Sequence, residues 1–429
     1  IVDANRLGQR GATMVGHAVN VHKKRFEAFG WDTIVIDGHD VKQIIQAFKQ
    51  FNQAKKPFAI IAKTVKGKGL KFLENKNGWH GKALGDELVQ AALTEIPNPK
   101  FPNVKVKKPI NDTLKKINLK RLNLPEFKVD DEIATREAYG LGLLNLAEHD
   151  PNIMVLDAEV SNSTHAETVK KKHPEQFIEC YIAEQNMVGV GQGLAVCGYT
   201  VFMSTFAAFL TRAHDQIRMA ALSNSKFIVC GSHCGVSIGE DGASQMGLED
   251  IALFRALPNS VVLYPADAVA TLKLMELATK QTGITYIRTT RPKVPVIYAN
   301  NEKFLLGGFK AVKQTTKDKV VLVGAGITLY EALKAYELLT AKGVAVAVVD
   351  LYCVKPFDHT KFKQFVRRHG GKVVVVEDHR PEGGIGEMIA AGLVDEEFVV
   401  EKLAIDTIPH SGTKDELLNK YGIGAKHIV

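Results

Sequence analysis

One glutamate stands where its carboxyl group could do acid–base chemistry. Glu184 follows the mostly apolar segment 177–182 and precedes a run rich in Gly, Val and Ala. Burial of a carboxyl without a cationic partner raises its pKa, and a protonated carboxyl can donate a hydrogen bond to a ring nitrogen and exchange that proton. Thiamine diphosphate is a cofactor with this requirement, because its aminopyrimidine must be tautomerised before its thiazolium carbon becomes a nucleophile. A glutamate that caps a helix or is paired in the core fits the local pattern equally well.

A second candidate site is a glycine-rich polar loop. Residues 231–245 follow the apolar run 227–230 and contain His233, Asp241 and Gln245, together with Glu240. Open α/β sheets bind their ligands at the carboxyl ends of strands. Because the loop is too long and too polar to be a simple connection, its composition favours ligand binding.

Arginines offer candidate anion sites. Arg136 directly follows Thr135, the predicted N-cap of a helix, so a guanidinium and a helix N-terminus would act together. Arg288 and Arg291 come at the end of the predicted strand 285–287. A basic balance suits anionic substrates such as sugar phosphates, although a surface salt bridge is the open alternative for each arginine.

The first part of the chain carries weaker signals. Asn5 offers an amide oxygen and Leu7 a backbone carbonyl, which are oxygen ligands of the kind that divalent cations prefer, but a plain turn explains them too. Lys66 lies in a basic, glycine-containing loop that is compatible with a phosphate or with a flexible turn. His80, between Trp79 and Gly81, is expected to have apolar cover suited to proton transfer, or to be a structural histidine.

Alternating apolar runs predict the elements that position these residues. In the first block, strands are predicted at 33–37 and 58–63, with a helix starting at Asp40 and a capping box that includes Gln43. Leu329, Leu333 and Tyr336 share one predicted helical face. The continuous apolar runs typical of buried parallel strands occur at 153–156, 227–230, 261–264, 285–287, 320–323, 344–349 and 373–376.

The predicted fold class is therefore α/β. We expect three consecutive doubly wound α/β domains with mostly parallel sheets, the first of them incomplete. The predicted boundaries are 1–95 for the first domain, 96–131 for a Pro-, Lys- and Asn-rich linker, 132–300 for the second domain and 301–429 for the third.

Composition excludes several classes of protein. The 429 residues carry a moderate net charge of +8, and the lysine clusters have no interleaved aromatic residues, so we expect no nucleic-acid partner. No apolar run is long enough to span a membrane, and we expect no membrane partner. Five cysteines, an odd number in mostly apolar segments, predict reduced thiols inside the cell. Zinc-like spacing is missing around Cys230 and Cys234.

Taken together, Glu184, the loop around His233 and the segment 79–82 resemble transketolase of the animal type, in order over essentially the whole chain. The resemblance implies the thiamine diphosphate-binding fold and a cytoplasmic homodimer with active sites at the subunit interface. It also implies thiamine diphosphate and Mg²⁺ (or Ca²⁺ or Mn²⁺) as cofactors. The implied reaction belongs to the pentose phosphate pathway and transfers a two-carbon ketol unit from a ketose phosphate to an aldose phosphate.

The resemblance also implies roles for individual residues. Glu184 would activate the aminopyrimidine, with His80 and His233 as the other catalytic residues. The remaining cofactor contacts would be Lys66, Phe206, Phe209 and Arg212, with Asn5 and the Leu7 carbonyl on the metal. The sugar phosphate would be bound by His80, Arg136, Ser163, His233, Asp241, Gln245 and Arg291. The third domain would mainly support the dimer.

The chain departs from the family pattern in places. Members of the family have a long stretch before Asn-Arg-Leu-Gly-Gln, with further active-site histidines, a Gly-His-Gly segment and an aspartate ligand of the metal. The sequence instead opens on Ile1 rather than on Met, which either a cut or a natural absence of this stretch would explain, and it stops at Val429, slightly short of the usual C-terminus. Ala158 and Glu159 stand where the family commonly has Gly and Asp.

The sequence alone is also compatible with two other functions. The missing stretch favours a non-catalytic, transketolase-like protein that folds and dimerises. The β-type subunit of a 2-oxoacid dehydrogenase is the closest enzyme alternative. The first block with Trp79 and His80, and the phosphate site expected at Arg291, argue against that enzyme.

Overall fold

The computed structural model of the chain describes residues 1–96, 105–106, 124–394 and 397–429. The chain divides into two compact units, unit 1 with residues 1–109 and unit 2 with residues 110–429. Most of the predicted linker 96–131 lies outside the described residues, and the domain boundaries stay predictions.

Unit 1 is built on three parallel strands in the order β1–β3–β2. Its elements are β1 (Val2–Ala4), α1 (Val19–Ala28), β2 (Asp32–Asp37), α2 (Val41–Phe51), β3 (Phe58–Lys63) and α3 (Asp86–Glu95). The predicted strands 33–37 and 58–63 are confirmed, whereas β1, α1 and α3 were not predicted. A small core of Ile36, Ala47, Ile60 and Ala62 lies between the sheet and α2.

The cap of α2 is confirmed in part. The Asp40 carboxylate accepts hydrogen bonds from the backbone N–H groups of Lys42 and Gln43, at 2.8 and 3.3 Å. The Gln43 side chain, however, accepts from the N–H of Asp37 rather than from that of Asp40. Asp40 is thus the N-cap, but the reciprocal half of the capping box is replaced by a bond to the end of β2.

The first part of unit 2 alternates strands and helices. Its elements are β4 (Glu132–Ala134), α4 (Thr135–His149), β5 (Ile153–Asp157), α5 (Ser161–Thr164), α6 (Glu167–Lys172), β6 (Phe177–Glu179), α7 (Glu184–Val196), β7 (Thr200–Phe206), α8 (His214–Leu222), β8 (Phe227–Ser232), α9 (Asp250–Arg255), β9 (Val261–Leu263), α10 (Ala268–Thr279), β10 (Ile284–Arg288) and β11 (Lys293–Pro295). Short 3-10 helices cover Pro174–Gln176, Ala207–Ala213 and Val236–Ile238.

The second part of unit 2 continues the alternation. It contains β12 (Lys310–Lys313), β13 (Val320–Gly324), α11 (Ile327–Ala341), β14 (Val346–Asp350), β15 (Cys353–Lys355), α12 (His359–Arg368), β16 (Lys372–Val376), α13 (Ile385–Leu393), β17 (Val399–Leu403), α14 (Lys414–Lys420) and α15 (Ala425–Ile428). The predicted strands at 320–323 and 373–376 are confirmed, and the strand predicted at 344–349 begins two residues later. Leu329, Leu333 and Tyr336 pack on one core, as expected.

Two larger sheets organise unit 2. One has the order β15–β9–β10–β8–β7–β5–β6, and all its strands are parallel except β15. The other has the order β12–β14–β13–β16–β17 and is parallel except for β12. The mixed α/β class with mostly parallel sheets is therefore confirmed. One hydrophobic core contains side chains from both sheets.

The edge strand β15 was not expected in the first of these sheets. It belongs to the region predicted as the third domain, yet Cys353 pairs with Leu263 of β9 in antiparallel register. Strand β15 therefore ties the second part of unit 2 to the first. Within the described ranges, none of the helices combines the length and the apolar composition of a membrane-spanning segment.

Candidate active site

Three near-parallel rings lie at the carboxyl ends of β7 and β8. Phe206, the last residue of β7, stacks on the His233 ring with centroids 3.8 Å apart and an interplanar angle of 15°. Phe206 also stacks on Phe209 at 5.1 Å and 19°. Because β7 and β8 are parallel neighbours, the residues that follow them emerge side by side at one edge of the sheet.

The His233 side chain is held in a neutral state. It is 2% exposed, and its backbone adopts a left-handed conformation with φ of 57°. The hydroxyl of Ser232 lies 3.0 Å from Nδ1, and a carboxylate oxygen of Asp241 lies 3.9 Å from Nε2. The pKa of His233 is lowered to about 3. Burial is the larger cause, and the positive charges of Arg136 and Arg291 contribute less. At neutral pH the ring therefore has one nitrogen that donates and one that accepts.

A cavity of about 400 Å³ opens beside these rings. Its lining is Arg136, Ser163, Phe206, His233, Asp241, Gln245 and Arg291. The structure thus brings together the substrate-binding residues that the sequence predicted in unit 2. They come from separate strand ends and helix starts along more than 150 residues of chain, and the parallel sheet collects them.

Two guanidinium groups give the cavity its positive charge. Arg136 donates to the Ser163 carbonyl oxygen at 2.9 Å, and Arg291 donates to the Ile238 carbonyl oxygen at 2.8 Å. Burial and the charge of Arg291 lower the pKa of Arg136. The buried Nε of Arg136 has no hydrogen-bond partner within the described part of the chain. The unused donor of Arg136 favours an anion, with Arg291 beside it as a second guanidinium that also pairs with Asp241 at 3.3 Å.

The predicted N-cap of α4 is wrong. Thr135 is the first helical residue, and Ala134 is the N-cap. The Thr135 hydroxyl accepts a hydrogen bond from the N–H of Thr290 at 2.8 Å instead of capping its own helix. The Thr135 hydroxyl is therefore bonded to Thr290, on the segment after β10, and not to its own helix. The same bond places the start of α4 beside Arg291.

Glu184 opens α7 and is 3% exposed. Its Oε2 atom lies 3.6 Å from Nε of Arg212, which the resemblance groups with Glu184 among the cofactor contacts, so the carboxyl is not buried without a cationic neighbour. That oxygen has no hydrogen-bond partner among the residues that the structure describes. An unpartnered buried carboxylate oxygen is unfavourable unless a ligand atom satisfies it.

Asn5 and Leu7 form a tight turn at the carboxyl end of β1 in unit 1. The Asn5 side-chain oxygen accepts from the N–H of Leu7 at 2.9 Å. The neighbouring Arg6 donates to the Asn75 carbonyl oxygen at 3.1 Å, which ties the turn to the loop that carries Lys66. The turn that the sequence left as an alternative is real, and it keeps both oxygen-bearing groups within one short segment.

Lys66 and His80 meet in unit 1. Nζ of Lys66 lies 3.2 Å from Nδ1 of His80. The apolar cover expected for His80 is wrong, because His80 is exposed and Trp79 packs under the ammonium group of Lys82 at 5.0 Å. A cation and an imidazole at the surface of unit 1 are free to meet an anionic ligand.

Sequence reasoning missed some residues around the site. Ser232 was not singled out, since no pattern shows that its hydroxyl meets His233. Asp157, at the end of β5, is buried and accepts from the Thr164 hydroxyl at 2.6 Å, and burial raises its pKa to about 7. Glu159, two residues on, is exposed with φ of 64°. An aspartate directly after the apolar run 153–156 is the sequence signal that could have identified Asp157.

Family models match the chain in three consecutive regions. Residues 1–123 match the model described as transketolase, thiamine diphosphate binding domain. Residues 131–296 match the transketolase pyrimidine binding domain, and residues 309–428 match the transketolase C-terminal domain. No group of three or more His, Cys, Asp or Glu side chains that could hold a metal ion occurs in the described residues.

Individual relatives agree with the models. The chain is 48% identical to transketolase-like protein 2 of Mus musculus over 100% of its own length and 70% of the relative's. It is 47% identical to the transketolase of Homo sapiens over 99% of the chain and 68% of that protein. Among solved structures, a split-gene transketolase described as an inactive β4 tetramer is 37% identical, with a TM-score of 0.63 over 70% of this chain and 96% of that one. A Campylobacter jejuni transketolase has a similar fold, with a TM-score of 0.83 at 24% identity over 100% of this chain and 71% of that one.

Proposed function

The chain belongs to the transketolase family, and we propose that its substrates are a ketose phosphate and an aldose phosphate, between which it transfers a two-carbon ketol unit. It is an enzyme of the transferase class with a thiamine diphosphate-binding domain. The 2-oxoacid dehydrogenase alternative is not favoured, because transketolase models match all three regions of the chain.

The observation that carries the proposal is the buried Oε2 atom of Glu184, which has no hydrogen-bond partner among the described residues. The residues present fit thiamine diphosphate, since this oxygen is free to exchange a proton with a ring nitrogen and the stacked rings of Phe206 and Phe209 lie on the segment against which α7 packs. When bound, thiamine diphosphate supplies a carbon nucleophile and an electron sink. Glu184 would hold and move the proton that tautomerises the aminopyrimidine, with Arg212 balancing its charge.

The cavity beside His233 would bind the sugar phosphate. Arg136 and Arg291 would hold the phosphate together with Ser163, because they present two positive charges and an unused donor to one space. Neutral His233 would accept or donate a hydrogen bond at a sugar hydroxyl and move a proton there. Asp241 and Gln245 would read the remaining hydroxyls.

Residues of unit 1 would hold the diphosphate and its cation. The Asn5 amide oxygen and the Leu7 carbonyl are ligands of the type that Mg²⁺, Ca²⁺ and Mn²⁺ accept, and they lie in one turn. Lys66 would neutralise a phosphate oxygen, and His80, 3.2 Å away, would take part in proton transfer at the reacting carbon.

We also propose a homodimer with active sites at the subunit interface. Large apolar side chains are exposed around the start of α7 and on α8, with Tyr181 at 67%, Ile182 at 71% and Leu222 at 56%. Apolar surface of this kind typically marks an interaction site. The five cysteines are free thiols, which agrees with a reducing compartment such as the cytoplasm, where the pentose phosphate pathway would place the enzyme.

A titration of thiamine diphosphate and Mg²⁺ tests the function. Ketol transfer from xylulose 5-phosphate to ribose 5-phosphate is followed while each cofactor is varied. We expect saturable dependence on both cofactors, and we expect slower transfer to an acceptor aldose without a phosphate group. If the chain binds thiamine diphosphate without catalysing transfer, it is instead a transketolase-like, non-catalytic protein.

A further inference from the structure

A carboxylate outside the cavity holds the loop that carries the sugar-binding residues. Asp378 follows β16 and is 1% exposed. One of its oxygens accepts from the N–H of Val236 at 2.7 Å, and the other faces the N–H of Ser237 at 3.4 Å. Both N–H groups belong to the 3-10 helix just after His233. The second part of unit 2 therefore binds the backbone of the loop 233–247 through the Asp378 carboxylate.

The contact between Asp378 and the loop backbone requires a glycine at position 235. Gly235 has φ of 76°, and a Cβ atom placed there would lie 1.9 Å from the Asp378 carboxylate. Only a residue without a side chain lets the backbone approach the carboxylate this closely.

A buried arginine joins both ends of the loop to the same network. The Arg288 guanidinium is fully buried and donates to the carbonyl oxygens of Gly247, at 3.0 Å, and Asp378, at 2.9 Å. The carbonyl of Gly247 also accepts from Gly235 N–H at 2.8 Å, and Gly247 N–H donates to the His233 carbonyl at 3.2 Å. The two ends of the loop are thereby closed on each other and on Asp378.

The tip of the loop also rests on the second part of unit 2. A Cβ atom at Gly239 would lie 2.9 Å from the Gly412 carbonyl oxygen, and one at Gly242 would lie 2.9 Å from the Ser411 hydroxyl. Because Arg291 donates to the Ile238 carbonyl and pairs with Asp241 at 3.3 Å, any shift of this backbone would move the cavity wall.

We propose that Asp378 is a positioning residue for sugar binding, acting through the backbone of loop 233–247 on His233, Asp241 and Gln245. Asp378 does not line the cavity. On this proposal, the second part of unit 2 contributes to the affinity for the sugar through the position of the loop. This inference rests on the proposed function, since it assigns the cavity to a sugar phosphate.

The adjacent Glu377 provides a matched control. It is also 1% exposed, and its carboxylate accepts from the N–H groups of Ile385 and Gly386, at 2.5 and 2.9 Å. Those bonds cap α13 and do not reach the loop. A loss of stability without a loss of positioning is therefore the expected result of changing Glu377.

The kinetic test compares Asp378→Ala, Asp378→Asn and Glu377→Gln with the unsubstituted enzyme. We expect Asp378→Ala to raise KM for ribose 5-phosphate about tenfold while turnover falls less, because binding common to ground and transition states is lost. Asp378→Asn keeps one hydrogen-bond acceptor and the size of the side chain. Its KM should therefore lie between that of the unsubstituted enzyme and that of Asp378→Ala. If Glu377→Gln raises KM as much as Asp378→Asn does, the positioning role is wrong.

Amide hydrogen exchange separates this inference from the function on which it rests. Peptides that cover residues 233–247 should exchange faster in Asp378→Asn than in Glu377→Gln, whereas peptides that cover β8 should be equal. Unchanged exchange in the loop overturns the inference. If the unsubstituted chain shows no ketol transfer, the proposed function is overturned, and the exchange result still decides whether Asp378 holds the loop.

Discussion

His233 and Glu184 of unit 2 are 2% and 3% exposed, whereas His80 of unit 1 is exposed and Lys66 is only half-buried. In unit 2 these two residues belong to the buried interior, and the backbone around His233 is part of a closed hydrogen-bond network. In unit 1 Lys66 and His80 lie on loops, and their side chains approach each other at 3.2 Å. We infer that the first group is positioned by folding, while the second is free to adjust to a ligand. Substitutions in unit 2 should therefore change both stability and function, and those in unit 1 function alone.

The largest effect is expected for Glu184→Gln. An amide cannot supply the proton that a carboxyl exchanges, so ketol transfer should slow about 100- to 10,000-fold. Steady-state kinetics at saturating cofactor measures the change. Glu167→Gln, which breaks only the surface pair with Lys171, is the control and should keep its rate. Full activity of Glu184→Gln would contradict the role given to this carboxyl.

Gly235→Ala tests how firmly the loop of unit 2 is packed. Left-handed strain of about 1 kcal/mol and overpacking of about 2 kcal/mol should lower the free energy of unfolding by about 3 kcal/mol. Gly343→Ala is the matched control, because φ is 74° there and no atom lies within 4 Å of the added Cβ. Denaturant unfolding of both variants measures the difference. Equal losses would show that the contact with Asp378 contributes nothing.

The buried imidazole of His233 predicts a pH dependence of stability. Its pKa falls from 6.5 to about 3 on folding, so between these values the unfolded chain binds more protons than the folded one. The free energy of unfolding should therefore decrease as the pH falls through this window, by up to about 1.4 kcal/mol per pH unit from this group. His233→Gln should flatten the slope, whereas His427→Gln, which changes an exposed imidazole, serves as the control. An unchanged slope in His233→Gln would show that the ring is accessible to protons in the folded state.

The smallest effect on stability is expected in unit 1. Lys66→Gln should change the free energy of unfolding by less than about 0.5 kcal/mol, as is usual for surface substitutions. The same substitution should weaken thiamine diphosphate binding about tenfold, because a charged contact to a phosphate is lost. Lys68→Gln, in the same loop and 3.8 Å from Glu74, is the control for binding. Isothermal titration and denaturant unfolding measure the two quantities, and a large loss of stability would remove the contrast between the two units.

Local patterns predicted many of the elements. The apolar runs at 227–230 and 285–287 are buried parallel strands, as expected, because a strand covered on both faces must be apolar throughout. The helix after Asp40 was recognised because its capping residue acts within three residues of sequence. The short strand β1 was missed, since three residues hold too little periodicity to be distinguished from a turn.

Residue types and their spacing were sufficient to predict several residues that line the cavity. Only the tertiary structure shows that these residues lie next to one another. The sequence by itself determined the α/β class and the candidates Glu184, Arg136, His233 and Arg291, because motifs and strand ends are local features. It did not determine that the Thr135 hydroxyl would bond to Thr290 instead of capping α4. It also did not show that Asp378 would meet a loop about 140 residues earlier in the chain. Such contacts depend on which strands become neighbours in the sheets, and that order is decided by the packing of the whole unit.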